Sequence, residues 1–193
     1  DDDLSRYDRL SLQYNKIIDC ERETNNYLVC CYTSGSKIYP NGYTKFYQAV
    51  GSKDILPTGH EMVDYLLFGR RLTNIFYGSG TPTCSLMLRK TVFQEVGSFD
   101  NSFNRQEDID FAVRFGLKGG CFTGISEPVL TQYATNDQNK KSAKIEFEST
   151  IKLIEKNKDY LLLKSSYYYI SIWTEMRYRH FSNQDIRAAF ILI

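Results

Sequence analysis

Two acidic constellations stand out by residue type and spacing. The chain opens on Asp1-Asp2-Asp3. Adjacent carboxylates repel one another in the absence of a cation, so this run is either a solvated tail or part of a site for a hard divalent metal. The second is Glu107-Asp108, at the start of an expected helix. Neighbouring residues on a helix point in different directions, so the two carboxylates have different jobs. On one reading Glu107 caps the backbone near Asn104, while Asp108 and Asp110 are ordinary first-turn acids and Asp110 reaches Arg114. On the other, Asp108 projects into a cleft as a general base. It is then kept ionised by the helix N-terminus, with Phe111, Ala112 and Phe115 fixing the helix behind it.

The elements that must position these acids are readable from pattern. Ser5-Arg6-Tyr7-Asp8 resembles an N-cap arrangement and leads into Leu10, Tyr14, Ile17 and Ile18 at helical spacing, so a short helix is expected after the acidic loop. Tyr27, Val29, Tyr32, Ile38 and Tyr39, broken by Ser34-Gly35-Ser36 and Asn41-Gly42, predict strands and a hairpin. A helix is expected over Glu61–Leu72, a loop at Gly78–Pro82, a short buried strand at Ser85–Arg89, and a helix at Lys90–Val96 stopped by Gly97. Asn104-x-x-Glu107 has capping-box spacing before Ile109, Phe111, Ala112 and Phe115. A strand follows through Val129-Leu130. After the polar run Asn136–Asn139, helical spacing of Ile145, Ile151, Ile154, Leu161, Tyr168, Ile172 and Met176 places a boundary near residue 138.

Composition removes several function classes. With 42% apolar residues in 193, the chain can bury a core. Its formal net charge of +1 provides no field to collect nucleic acid. Cys20, Cys30, Cys31, Cys84 and Cys121 include no CxxC pair, which argues against a disulfide framework or zinc site and for reduced thiols in a cytosol. His60 and His180 sit in unrelated contexts, and neither a Gly-x-Ser-x-Gly elbow nor a phosphate loop occurs.

The order of the motifs is more specific than any one of them. Asp1-Asp2-Asp3 is followed by Asp8-Arg9-Leu10 and Gln13. Thr83-Cys84-Ser85-Leu86-Met87-Leu88-Arg89 is followed by Gly97-Ser98-Phe99-Asp100, then Glu107-Asp108-Ile109-Asp110-Phe111 with Arg114. From Asp1 to about Tyr133 the sequence resembles the nucleotide-diphospho-sugar transferases of glycosyltransferase family 2, which have the GT-A fold. The resemblance implies an α/β fold with a GT-A-like mixed sheet flanked by helices. Residues 1–138 would form the metal- and acceptor-binding part, and residues 139–193 a helical C-terminal extension. The family's nucleotide-binding βαβ units precede its Asp motif and have no counterpart here, so another segment is expected to supply them.

By the same resemblance Asp2, with Asp1 and Asp3, would hold Mg²⁺ or Mn²⁺ against the donor diphosphate, and Asp1 would also approach the ribose. Asp108 would take the proton from the acceptor hydroxyl, implying inversion at the anomeric carbon. Glu107 would hold sugar hydroxyls, and Thr83 and Ser85 would line the sugar pocket. The partners are then a nucleotide-diphosphate sugar, with a UDP-sugar favoured, and a saccharide or lipid-linked acceptor. Lack of a Gln-x-x-Arg-Trp motif after Glu107-Asp108 favours single addition over processive synthesis. The location expected is cytoplasmic or peripheral to the inner face of the membrane, with Tyr167–Tyr169, Trp173, Arg177, Arg179 and Arg187 serving core or dimer packing, or docking on an acidic membrane surface. A non-catalytic saccharide-binding module and a metal-dependent nucleotidyltransferase are the rival readings.

Overall fold

The computed structural model describes residues 3–134 and 142–182. The chain divides into two compact units, Asp1–Phe99 with Phe111–Asn136, and Asp100–Asp110 with Asp137–Ile193. The first is an α/β unit built on a mixed, five-stranded sheet; the second is helical.

The sheet is organised around β2 (Val29–Ile38) and β5 (Cys121–Tyr133), which run parallel along the whole of β2. The other edge of β2 is shared. β4 (Met87–Leu88) pairs antiparallel at Cys30 and Cys31, and β3 (Thr44–Tyr47) pairs antiparallel from Gly35 to Ile38. β1 (Leu4–Ser5) pairs antiparallel with Leu130 and Thr131 of β5. The hairpin expected around Asn41-Gly42 is therefore formed, with Asn41 Oδ1 accepting from the Tyr43 N–H at 3.0 Å.

The run Leu28-Val29-Cys30-Cys31-Tyr32 is apolar without a break because β2 is covered on both faces. Leu28, Cys30 and Tyr32 join Val50, Met62, Phe111, Phe115 and Phe122 in one core; Val29 and Cys31 join Ile17, Cys20, Cys121 and Ile125 in another. Period-two alternation thus sends consecutive residues to different cores. Gly51 sits at φ +66°, and a Cβ there would collide with the Phe122 carbonyl, so glycine permits the loop to lie directly on β5.

α1 (Arg9–Thr24) buries Gln13, Ile17 and Cys20, whereas Leu10 and Tyr14 are exposed. The helix forms as expected; of the residues at helical spacing Ile17 is buried, and a polar residue, Gln13, shares its face. α2 (Gly59–Phe68) begins under a capping box between Thr58 and Glu61 and ends at Gly69, which adopts the left-handed conformation. It is shorter than the expected Glu61–Leu72 at its C-terminal end, since Gly69 N–H bonds back to Tyr65 O and closes the helix. The segment expected as a strand from Ser85 is a 3₁₀ turn at Thr83–Ser85 followed by the two residues of β4. α3 (Lys90–Val96) ends at Gly97, φ +89°.

α4 (Glu107–Leu117) contributes Glu107–Asp110 to the helical unit and Phe111–Leu117 to the sheet unit. The helical unit continues with α5 (Ala143–Lys156), capped by Ser142 Oγ accepting from Ile145 N, then α6 (Lys158–Leu163) and α7 (Tyr167–Phe181). Its buried apolar residues include Leu153, Ile154 and Leu161, while Tyr168, Tyr169, Ile172 and Trp173 of α7 remain exposed. Arg187 lies outside the described residues, among which no helix is long and apolar enough to cross a membrane.

Candidate functional site

Asp1 and Asp2 lie outside the described residues; Asp3 immediately precedes β1. The turn after β1 is tied by a bidentate pair, Arg6 Nε to Asp8 Oδ1 at 2.6 Å and Arg6 Nη2 to Asp8 Oδ2 at 2.9 Å. This corrects the expected Ser5-x-x-Asp8 N-cap, since Ser5 belongs to β1. Asp8 does occupy the capping position, but its carboxylate makes no cap hydrogen bond, because the charge-assisted fork with Arg6 is the stronger partner. Arg6 thereby holds the Asp8 carboxyl below its ordinary pKa.

The first two turns of α1 then supply two side chains that bind the surrounding backbone. Arg9 donates from Nη1 to Ser5 Oγ at 2.8 Å, from Nη2 to Cys84 O at 2.6 Å, and from Nε to Gln13 Oε1 at 3.0 Å. Gln13, fully buried, donates from Nε2 to Cys31 O at 2.7 Å and to Ser85 O at 3.0 Å. These residues, at i and i+4 on one helix face, fasten the end of β1, the Thr83–Ser85 turn and β2 to one another. The motif spacing singled out Arg9 and Gln13 but gave them no task; their task is to fix the positions of residues around Asp3.

Within that frame Ser85 is buried and its hydroxyl donates to Pro82 O at 3.1 Å, closing the turn, whereas Thr83 is exposed. Thr83 borders a groove of about 460 Å³ with Arg9, Gln13, Lys90 and Phe93. Ser85 borders a crevice of about 10 Å³ with Thr33 and Tyr47, enough for one water. The hydroxyls of Thr33, Tyr47 and Thr81 are buried with no hydrogen-bond partner among the described residues. Burial pushes the Tyr47 phenol up to about 12, aided by Cys84 and the negative charge of Asp3 and opposed by Arg9. Tyr47, Thr33 and Thr81 carry no motif, and nothing in the sequence marks them.

Glu107 and Asp108 belong to the helical unit. The expected capping box between Asn104 and Glu107 does not form. Glu107 is the first residue of α4, and it is the Gln106 carbonyl that accepts from Asp110 N at 2.9 Å. Gln106 stands at φ +67°, a conformation costing a side-chain-bearing residue about 1–3 kcal/mol. Its amide is anchored on α5, donating to Glu146 Oε1 at 2.9 Å and Thr150 Oγ1 at 2.7 Å. The strain falls one residue before the Glu107-Asp108 pair.

Asp108 Oδ1 accepts from Ile109 N at 2.8 Å. Its pKa is nevertheless raised, first by burial and then by the charge of Glu107, against the opposing pull of that N–H and of Arg105. This reverses the expectation that the helix N-terminus lowers it: removal from water outweighs the helix end. Asp110, fully buried, pairs with Lys156 Nζ at 2.7 Å, and the same amine reaches Asp100 at 2.8 Å. Asp110 is thus structural, and Asp108 is the acid held above the usual carboxylate range.

Among the described residues no group of three His, Cys, Asp or Glu side chains is placed to hold a metal ion. Of the donors expected for one, Asp1 and Asp2 are outside them and Asp3 is described. Compared with known proteins, the chain matches no family model and no curated protein.

Proposed function

We propose that this chain is the metal- and acceptor-binding part of an inverting glycosyltransferase of GT-A type. It would move a sugar from a nucleotide-diphosphate sugar, a UDP-sugar by preference, to a saccharide or lipid-linked saccharide in cell-surface polysaccharide synthesis. The observation that carries this reading is Asp108: a carboxyl raised above its ordinary pKa by burial, at the head of a helix, behind the strained Gln106. A base whose pKa approaches the working pH accepts a proton more effectively than an ordinary surface carboxylate. In this reading Asp108 takes the acceptor hydroxyl proton as the anomeric carbon is attacked from the face opposite the leaving diphosphate.

Glu107, Thr83 and Ser85 are assigned to positioning sugars, Glu107 and Thr83 through their side chains and Ser85 through the turn it closes. Asp2, with Asp1 and Asp3, would hold Mg²⁺ or Mn²⁺, which would supply a Lewis acid for the diphosphate. Arg9 and Gln13 support the reading because they spend their hydrogen bonds on the backbone adjoining Asp3 and on the Thr83–Ser85 turn.

The test is release of nucleoside diphosphate from UDP-sugars by the full-length protein with Mn²⁺, comparing wild type with Asp108→Asn. Turnover lost while donor binding survives supports Asp108 as the base. Equal turnover in both proteins removes that assignment. Absence of any donor binding replaces the reading with a non-catalytic saccharide-binding module.

A further inference from the structure

The helical unit carries an open pocket of about 600 Å³ between α5 and α7, bordered also by Arg105, a size suited to a small ligand. Phe147 and Tyr178, both lining it, stack on each other with centroids 4.4 Å apart and planes 18° apart, which packs α5 against α7 at this wall. Its charge is unbalanced. Arg105 and Arg177 both face it against a single carboxylate, Glu146. That carboxylate is already engaged, by Arg105 Nε at 3.3 Å and by the Gln106 amide at 2.9 Å.

Arg177 makes no ion pair among the described residues; its guanidinium lies 5.9 Å from the ring centre of Phe181, itself 65% exposed. The N-terminal residue of the 14-residue α5, Ala143, and its cap Ser142 border the same space and add the partial positive charge of a helix end. A guanidinium with no ion pair among the described residues, a helix end and an exposed aromatic ring describe recognition of a ring that carries an acid. Arg105 is shared: it borders the pocket and its charge is felt by Asp108.

We infer that this pocket binds a saccharide bearing a phosphate or a carboxylate, and, resting on the function proposed above, that it is the acceptor subsite beside Asp108. The anion sits between Arg177 and Arg105, and the sugar ring lies against Phe181.

The probes are glucose 1-phosphate, glucuronate and glucose, titrated by calorimetry into the full-length protein and its Arg177→Ala and Arg177→Lys variants, with thermal melting as the control for folding. At least one of the two anionic sugars is expected to bind tenfold or more tightly than glucose. That preference should vanish in Arg177→Ala at unchanged melting temperature and return in part in Arg177→Lys. Which anionic sugar binds identifies the acid. Equal binding of all three sugars, no binding of either anionic one, or a preference that survives Arg177→Ala overturns the inference. The transferase reading is separated by the Asp108→Asn turnover assay. Arg177-dependent binding without Asp108-dependent turnover keeps the pocket and removes the transferase, and the reverse keeps the transferase and removes the pocket.

Discussion

The two units are held together by different physics. In the sheet unit, β2 is buried on both faces, and its polar connections, those of Gln13 and Arg9, go to backbone carbonyls. In the helical unit, the buried Leu153, Ile154 and Leu161 are joined by ion pairs and aromatic stacking: Lys156 between Asp100 and Asp110, Arg105 and Gln106 on Glu146, Phe147 on Tyr178. Apolar burial does not titrate, whereas partly exposed ion pairs respond to pH and to screening by salt. The acid proposed to act on substrate belongs to the second kind of environment, where a modest change in surroundings shifts a pKa.

The largest expected effect is chemical. Asp108→Asn should lower turnover by about 10²–10⁴-fold, the usual contribution of a general base, without lowering the melting temperature. The sign follows from linkage. A carboxyl whose folded pKa is raised destabilises the folded state once ionised, a penalty present at neutral pH and absent below the unfolded pKa. The neutral amide removes it, and the wild-type rate should rise with pH through a pKa above the ordinary carboxylate value.

Next in size, Phe122→Ala should cost about 3–5 kcal/mol in urea unfolding, because Phe122 is fully buried and packs edge-on against Phe115 at 5.0 Å. Lys156→Ala should cost about 2 kcal/mol, below the range for fully buried pairs because the lysine side chain is a third exposed. If hydrogen exchange shows Phe122→Ala loosening only β2 and β5, and Lys156→Ala loosening only α5, the contrast between the units holds. Uniform loosening by either breaks it.

The smallest effect is the pH response of the Asp100 tie. Lys156 and Ser102 hold this carboxyl well below its ordinary pKa. Its contribution is therefore complete above the unfolded carboxylate value, about 4, and fades as pH falls toward the depressed folded value. Amide exchange in α5 should accelerate in that acid window in wild type, and Asp100→Asn should flatten the response.

What could be read from the sequence was local. Lys90–Val96 with its terminal Gly97 and the hairpin at Asn41-Gly42 appear as expected, since each depends on residues within a few positions. Pairings between distant segments were not legible. The parallel register of β2 on β5 shifts on both sides of Ser34, and no property of Ser34 alone encodes it. The helix of α1 was legible from its spacing, but not that Gln13 shares the buried face with Ile17 while Leu10 and Tyr14 stay exposed, because the buried partners of Gln13 lie far off in sequence. Glu107-Asp108 could be picked out by composition, but the direction of the Asp108 shift depends on burial that only the folded chain shows.

Gln13 also limits how this sequence can vary over time. Its nitrogen serves two carbonyls and its oxygen serves Arg9, so a glutamate there would set a carboxylate against two acceptors, and an aliphatic residue would leave them unserved. A change at position 9 strips the amide oxygen of its donor. Positions 9 and 13 are therefore expected to be inherited as a pair: lineages of this chain should change both together or neither.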